Sequence, residues 1–288
     1  MFNKFYNRVD IRASLVAESG LYIGAGENNL SPNAIQGALL RNSYGRPYIP
    51  GSSIRGVLRS FLESLPSDDG KSDCYMGEQC AKFVRDIALR NGVRKELEDV
   101  MKAKEINKDI DRVFAEEVAS RSCMACRLFG SQVLSGKVKI ADANLKPEVE
   151  VLKSEVRTGN AIDRDSHTAV SGALFDTEII PAGTPFDFRI VAENLTEKEA
   201  SCLSRLIVYF AEGNILLGGR SRSGLGKVEL TDLRLTISKM GEAEDGLSFP
   251  EENSIGQIET EKLPGKLKEE LAGSTMEDVV SILLKNGK

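Results

Sequence analysis

Apolar residues along this chain repeat at every second position, then at helical spacing, then at every second position again. This succession narrows the fold more than any other feature. Val9, Ile11, Ala13, Leu15 and Ala17 share one face of an extended segment, the pattern of a half-buried strand. Ile54, Val57, Leu58, Phe61, Leu62 and Leu65 then form a helical stripe, with Ser52 or Ser53 the expected N-cap after Pro50-Gly51. Residues 137–143 and 148–156 read as strands, as do 175–180 and 185–192, the last with Phe186, Phe188 and Ile190 inward. Thr196 followed by Glu199 makes a capping box. Leu203, Leu206, Ile207 and Phe210 continue that helix to about Glu212, and Gly213-Asn214 ends it. Residues 227–237 alternate again, with a slip at Thr231-Asp232 that predicts a bulge. Strand, helix, strands, helix, strand is the ferredoxin-like α+β order, which RNA-recognition modules also use.

The 288 residues are 41% hydrophobic and 28% charged, enough apolar material for a core and too much for a disordered chain. No apolar run reaches the roughly 18 residues of a membrane span, and the start, Met1-Phe2-Asn3-Lys4-Phe5, lacks the apolar stretch of a signal peptide. A soluble, cytoplasmic protein that makes no membrane contact is expected.

Residues 66–130 interrupt the sheet pattern. They open on Pro66-Ser67-Asp68-Asp69-Gly70 and then run through segments dense in Lys, Glu and Arg, with helices expected near 79–90, 93–105 and 108–120. Four of the five cysteines lie here as two pairs, Cys74 with Cys80 and Cys123 with Cys126. Paired thiolates fit a tetrahedral structural Zn²⁺. A redox pair or unrelated free thiols are the alternatives, though no βαβ pattern frames Cys123-Met-Ala-Cys126 as redox sites require. Four protein thiolates leave no open coordination position, so such a metal would organise a loop and catalyse nothing. Cys202 stands in a helical apolar pattern and reads as a buried core thiol.

Charge is informative as a map. The formal net charge is −5, and residues 239–288 alone hold 6 Lys and 11 acids, so the rest is neutral. Within that neutral body, residues 28–62 carry Arg41, Arg46, Arg55 and Arg59 with no acid, and 214–227 carry Arg220, Arg222 and Lys227 with no acid. Both stretches are rich in Gly and Ser. Guanidinium groups offered beside backbone N–H groups suit phosphate oxygens; two ordinary solvated loops are the alternative. The second stretch is no Walker A motif, because Val228 follows Gly226-Lys227. Aromatics are only 6%, with no paired signature for stacking bases on a sheet, so an RNA contact would rely on loops and arginines. Residues 157–175 are polar, nearly unpatterned and read as a projecting loop. They include Arg157, Arg164 and the only histidine, His167, which suits a general base, a stacking contact or plain exposure. Residues 239–270 read as a flexible or peripheral acidic tail, followed by a short helix over Met276, Val279, Val280, Leu283 and Leu284.

Several pieces together resemble the RAMP superfamily, in particular the repeated backbone subunit of type III CRISPR interference complexes. They are Gly20-Leu-Tyr-Ile-Gly24, Arg46-Pro-Tyr-Ile-Pro-Gly-Ser-Ser-Ile-Arg-Gly56, Cys126-Arg-Leu-Phe-Gly130 and Gly218-Gly-Arg-Ser-Arg-Ser-Gly-Leu-Gly226 with Lys227-Val228. Asn160-Ala-Ile-Asp-Arg164 and Gly172-Ala-Leu-Phe175 match as well. The resemblance spans residues 8 to about 238. It implies a ferredoxin-like palm over 1–65 and 131–238, a helical zinc-binding insertion over 66–130, a β-hairpin thumb near 157–175 and an acidic tail over 239–288.

Guide RNA, complementary target RNA, copies of the same or related subunits and other type III effector subunits are the implied partners. By position, Arg41, Ser52, Ser53, Arg55 and Arg59 would meet guide phosphates near a helix N-terminus. Arg220, Arg222 and Lys227 would line the same groove, and Arg157, Arg164 and His167 would belong to the thumb. One position departs from the family. Cleaving members carry an Asp upstream of the Arg-Pro-Tyr-Ile-Pro-Gly segment, where this chain has Gln36. An amide neither takes a proton at neutral pH nor binds Mg²⁺ as a carboxylate does. The resemblance therefore implies a non-cleaving backbone subunit, with a Mg²⁺-dependent endoribonuclease and a zinc-stapled protein-interaction scaffold as alternatives.

Overall fold

A computed structural model describes residues 5–26, 37–65, 86–104, 109–240 and 250–253. Strand β1 (Asn7–Ala17) lies at the centre of a five-stranded antiparallel sheet. It pairs with β7 (Pro185–Glu193) on one side and β8 (Val228–Met240) on the other. Beyond β7 lies β3 (Val138–Ile140), and beyond β8 lies β9 (Pro250–Asn253). Without β9, the spatial order is second, third, first and fourth strand of a strand–helix–strand–strand–helix–strand chain. That is the split βαβ arrangement expected from the spacing.

Register explains which face is covered. Ile11 sits opposite Ile190 and Leu235, and Leu15 opposite Phe186 and Leu230. These residues join Ile54 and Leu58 of helix α1 (Gly51–Ser64) in one core. The same core takes Leu203, Leu206, Ile207 and Phe210 of helix α5 (Glu197–Ala211). The other face carries Arg8, Asp10 and Arg12 of β1 against Asp187 and Arg189 of β7 and Arg234 of β8. Arg189 and Arg12 both donate to the Asp10 carboxylate. Burial alone would raise that carboxyl, but the two guanidinium groups outweigh it and hold it below the usual range. A lattice of ion pairs, with no ring among those positions, leaves no stacking platform. The expected bulge is present: the β1–β8 register shifts between Arg12 and Ser14. Asp232 adopts φ 53° there and accepts from Ser14 Oγ at 3.0 Å.

The capping box on α5 is as expected, with Thr196 and Glu199 each satisfying the other's backbone N–H. The start of α1 is not. Neither Ser52 nor Ser53 is the N-cap; Pro50 is, and it makes no side-chain cap bond. The Gly51 N–H instead donates to Asp142 Oδ1 at 2.7 Å, from the turn between β3 and β4 (Ala143–Asn144). A Cβ on Gly51 would stand 2.3 Å from the Ile140 carbonyl oxygen. The first N–H of α1 is therefore served by the Asp142 carboxylate, and the turn leaves Gly51 no room for a side chain.

Between α1 and β3 lie α2 (Ile87–Ala103), α3 (Ile110–Ser120) and α4 (Met124–Phe129). The break expected near residue 91 is absent: α2 runs unbroken through Asn91-Gly92 from its Asp86 cap. Val93, Val118, Ala119 and Leu134 form a small core of their own, and Arg94 bridges to Asp111 at 2.6 Å. Three further expectations change. Residues 148–154 are not strand, and β5 covers Glu155–Ile162. Residues 157–175 are not a loop: β5 and β6 (Ala169–Ile179) pair as an exposed antiparallel hairpin, the form the family resemblance implies. Part of the acidic tail, residues 250–253, adds to the sheet as β9. No helix among the described residues is long and apolar enough to cross a membrane.

Candidate nucleic-acid interface

Three short segments meet at the base of the β5–β6 hairpin. Residues 21–25 run beside 37–40, with Leu40 N–H donating to the Ile23 carbonyl and Ala25 N–H to that of Ala38. Leu21 bridges to Ile180 at the end of β6, and Gly37 bridges to Thr177 within it. The glycine-rich loop 217–226 is closed at its neck by Leu217 N–H to the Gly226 carbonyl. It docks on the same strip through Gly226 N–H to Gly20 and Gly219 N–H to Tyr22. Gly218 sits at φ 86° with Tyr22 O 2.5 Å from where its Cβ would lie, so no other residue fits there. From Arg41 the strip continues through a bridge to Pro47 and through β2 (Tyr48–Ile49), paired with β4, into α1.

The basic residues divide into two groups at this junction. Arg41 donates to the Gly45 carbonyl and to Glu178. Arg55 donates to the Phe129 carbonyl. Arg59 reaches the Gly130 carbonyl at 2.7 Å, Glu63 at 2.7 Å and Cys126 Sγ at 3.8 Å. Arg46 donates to the carbonyls of Lys146 and Val149. These guanidinium groups hold internal turns together. The second group, exposed as Arg41 and Arg55 also are, is less engaged by the protein. Arg157 has only a loose 3.9 Å contact to Glu155, and Lys227 pairs with Glu18 at the surface. Arg164 and Arg222 make no ion pair among the described residues. Ser52 is exposed and Ser53 half-buried in the first turn of α1. The hairpin tip is preformed: Asp163 Oδ1 accepts from Asp165 N, Ser166 N and Ser166 Oγ. These bonds, that from the Ser166 backbone foremost, hold the Asp163 carboxyl below the usual range. His167 follows at φ 54°, fully exposed beside this turn.

Three residues not among the sequence-derived site candidates organise the site. Glu178, buried at the end of β6, accepts from Leu39 N at 3.0 Å, from Ser154 Oγ and from Arg41. Burial would raise its carboxyl, but Ser154, the Leu39 N–H and Arg41 hold it lower than usual. Tyr22 and Phe175 both lie near Arg220, whose guanidinium carbon is 5.5 Å from the first ring centroid and 4.6 Å from the second. Each belongs to an extended segment whose spacing predicts only strand or loop, so the clustering is a product of tertiary contact.

Cys123 caps α4: its Sγ accepts from the Cys126 N–H at 3.4 Å. Cys126 is buried and Cys123 half-buried. Cys74, Cys80 and Gln36 lie outside the described residues. Among the described residues no three or more His, Cys, Asp or Glu groups converge as metal ligands. Cys202, expected fully buried, is half-buried, and desolvation still pushes its thiol above the usual range.

A family model described as the RAMP superfamily matches residues 14–229. The chain is 26% identical over 276 residues to a Methanocaldococcus jannaschii protein named CRISPR system Cms endoribonuclease Csm3, covering 88% of this chain and 92% of that one. It is 26% identical over 238 residues to an Enterococcus italicus protein of the same name, covering 77% and 89%. A Pyrococcus furiosus protein named CRISPR system Cmr subunit Cmr6 is 33% identical over 158 residues, covering 50% and 44%.

Proposed function

The chain belongs to the RAMP superfamily, and on that premise we propose that it is a backbone subunit of a type III CRISPR ribonucleoprotein complex. It binds guide RNA and shapes the guide–target duplex in antiviral defence. The observation that carries this reading is the junction itself: a glycine-rich loop with exposed Arg222 and Lys227, docked beside a projecting hairpin tipped by Arg164 and His167. Loop backbone and cations follow the phosphates, while the hairpin, our candidate thumb, enters the duplex. Ser52 and Ser53 at the start of α1 and Arg157 on β5 extend the contact. Arg41, Arg55 and Arg59 support it mainly through the internal turns they hold. Copies of this chain or related subunits, target RNA and other effector subunits complete the assembly, in the cytoplasm.

The test is titration of the full chain with single-stranded guide RNA at two salt concentrations. Affinity should fall steeply with salt, as phosphate neutralisation requires, and less steeply after Arg222→Ala with Lys227→Ala. A response independent of salt rules the reading out.

We further propose that Cys74, Cys80, Cys123 and Cys126 hold a structural Zn²⁺. The Cys123 Sγ, already accepting a backbone N–H at the start of α4, suits a thiolate. The metal supplies a cross-link and no reaction. Gln36 supports a subunit that binds without cutting. Cleavage is the second reading, favoured by the names of the relatives and by one geometric feature. Gly37 N–H donates to the Asp176 carbonyl at 3.1 Å, so the exposed Asp176 carboxylate lies on a residue hydrogen-bonded to Gly37. Matched target RNA in the assembled complex should stay intact with Mg²⁺. A regular cleavage ladder abolished by Asp176→Asn establishes the second reading instead.

A further inference from the structure

Arg220 has the position of a phosphate ligand and the surroundings of a structural joint. Its backbone is left-handed, φ 57°, a conformation non-glycine residues hold only when neighbours enforce it. Its guanidinium lies near two rings from parts of the chain far apart in sequence: Tyr22 of the strip after β1 and Phe175 of the hairpin. Glycines clear space for both rings. Gly159 faces Phe175 across the hairpin, and a Cβ there would be 2.4 Å from the ring. Gly24 and Gly219 flank Tyr22, whose hydroxyl oxygen would be 2.7 Å from a Cβ on the first and whose ring would be 3.0 Å from a Cβ on the second. Arg220 makes no ion pair among the described residues, so the rings are its described partners.

We propose that Arg220 is a positioning residue that joins the glycine-rich loop to the hairpin, so that seating RNA on the loop sets the hairpin's angle. The phosphate contacts of this loop then belong to Arg222 and Lys227. This rests on the guide-binding reading above only for the RNA that seats on the loop; the joint itself exists without RNA. A planar guanidinium can stack on flat faces in a way a lysine ammonium cannot. The cation–π attraction of two rings together is worth about a tenfold change in an opening equilibrium.

The experiment has two arms. Without RNA, amide hydrogen exchange of the full chain is compared for the wild type, Arg220→Ala, Arg220→Lys and Phe175→Leu. The hairpin base should lose about tenfold protection in both Arg220 variants and less in Phe175→Leu, which leaves the Tyr22 ring; β1 and β7 should not change, and Arg220→Ala with Phe175→Leu together should lose no more than Arg220→Ala alone. With RNA, Phe175→Trp places an indole in a chain that has no tryptophan. Guide RNA should shift its emission when Arg220 is present and fail to do so after Arg220→Ala. The salt slope of binding should be the same with and without Arg220. Unchanged hairpin protection overturns the joint, as does a salt slope reduced by about one for Arg220→Ala, the mark of a lost phosphate contact. If no variant binds RNA, the guide-binding reading fails, and the exchange arm still decides the joint.

Discussion

Replacing Glu199 by Gln should cost this fold more than any other single-atom change in the described core. The Glu199 side chain is fully buried, and Lys137, its partner at 2.7 Å, is 3% exposed. Arg127 donates to the other oxygen at 2.9 Å, and the Thr196 N–H donates to the first at 2.8 Å. One carboxylate thus ties the start of α5, helix α4 and the entry to β3. The amide keeps an acceptor for Thr196 and loses the charge that neutralises a buried ammonium. Breaking a buried pair this way costs about 3–5 kcal/mol, far more than the roughly 1 kcal/mol of a cap hydrogen bond. Urea denaturation of the full chain should show the midpoint fall with little change in slope. The melting temperature should drop by on the order of 10 °C.

Two controls make the argument sharp. Lys137→Met on the Glu199→Gln background removes the stranded cation and should restore part of the loss. Acid titration gives the sign independently. Burial pushes the Glu199 carboxyl up, but Lys137, the Thr196 N–H and Arg127 outweigh it and leave it below its ordinary 4.5. A carboxyl depressed in the folded state stabilises above its unfolded pKa, and that contribution disappears as pH falls through the folded value. Wild type should therefore lose stability over the acid range below about pH 4.5, and Glu199→Gln should be flatter there. A Gln variant within about 1 kcal/mol of wild type at neutral pH refutes the neutralising role.

Three more outcomes follow from the same geometry. Gly51→Ala gains about 0.5–1 kcal/mol of helix propensity, but its Cβ meets a backbone oxygen at 2.3 Å; overpacking of about 1–3 kcal/mol wins, read as a lower denaturation midpoint. Glu178→Gln should weaken the Leu39 hydrogen bond by about 1 kcal/mol after screening, seen as faster Leu39 amide exchange. Because the Glu178 carboxyl sits below its ordinary value, this protection should fade in wild type as pH drops through that lowered range, and not in the variant. Metal analysis of the purified full chain should find about one zinc per chain, reduced by Cys126→Ser; no zinc in the wild type removes the four-thiolate proposal.

The fold was legible wherever burial is local and periodic. Val9 to Ala17, the Thr196–Glu199 box and the Asp232 bulge each carry their signal within a few residues, and each is present. The start of α1 was misread because the carboxylate that accepts its first N–H, Asp142, comes from 91 positions away. Two serines in a row satisfy a local rule that a remote carboxylate has already met. The hairpin was opaque to periodicity because nearly every residue of β5 is exposed. Without a buried face there is no alternation to read, and only the resemblance of Asn160 to Arg164 and of Gly172 to Phe175 marked it. The Arg220 stack was illegible for another reason. It joins residues 22, 175 and 220, and the three glycines that clear space for its rings look like ordinary turn residues.

The arginines show why motif and surface charge differ here. Arg41, Arg46, Arg55 and Arg59 lie in an acid-free stretch, which by sequence looks like a phosphate-binding strip. In the fold each donates to a backbone carbonyl: Gly45, Val149, Phe129 and Gly130 in turn. A guanidinium has five N–H donors, so each can brace a turn and keep others for a ligand. Those contacts must loosen before such a side chain moves toward a phosphate, although Arg41 and Arg55 are exposed. Less engaged by the protein are Arg157 on β5, Arg164 on the hairpin tip and Arg222 on the glycine loop, with Lys227 paired to the surface Glu18. On the proposed reading, so few cations should release few counterions, and one copy on its own should hold RNA weakly. Copies linked along a strand would meet their phosphates at high effective concentration, so that avidity multiplies without any new contact. Affinity should therefore climb with the number of adjacent copies on a strand, and a lone chain that binds as tightly as an array would contradict this division of the arginines.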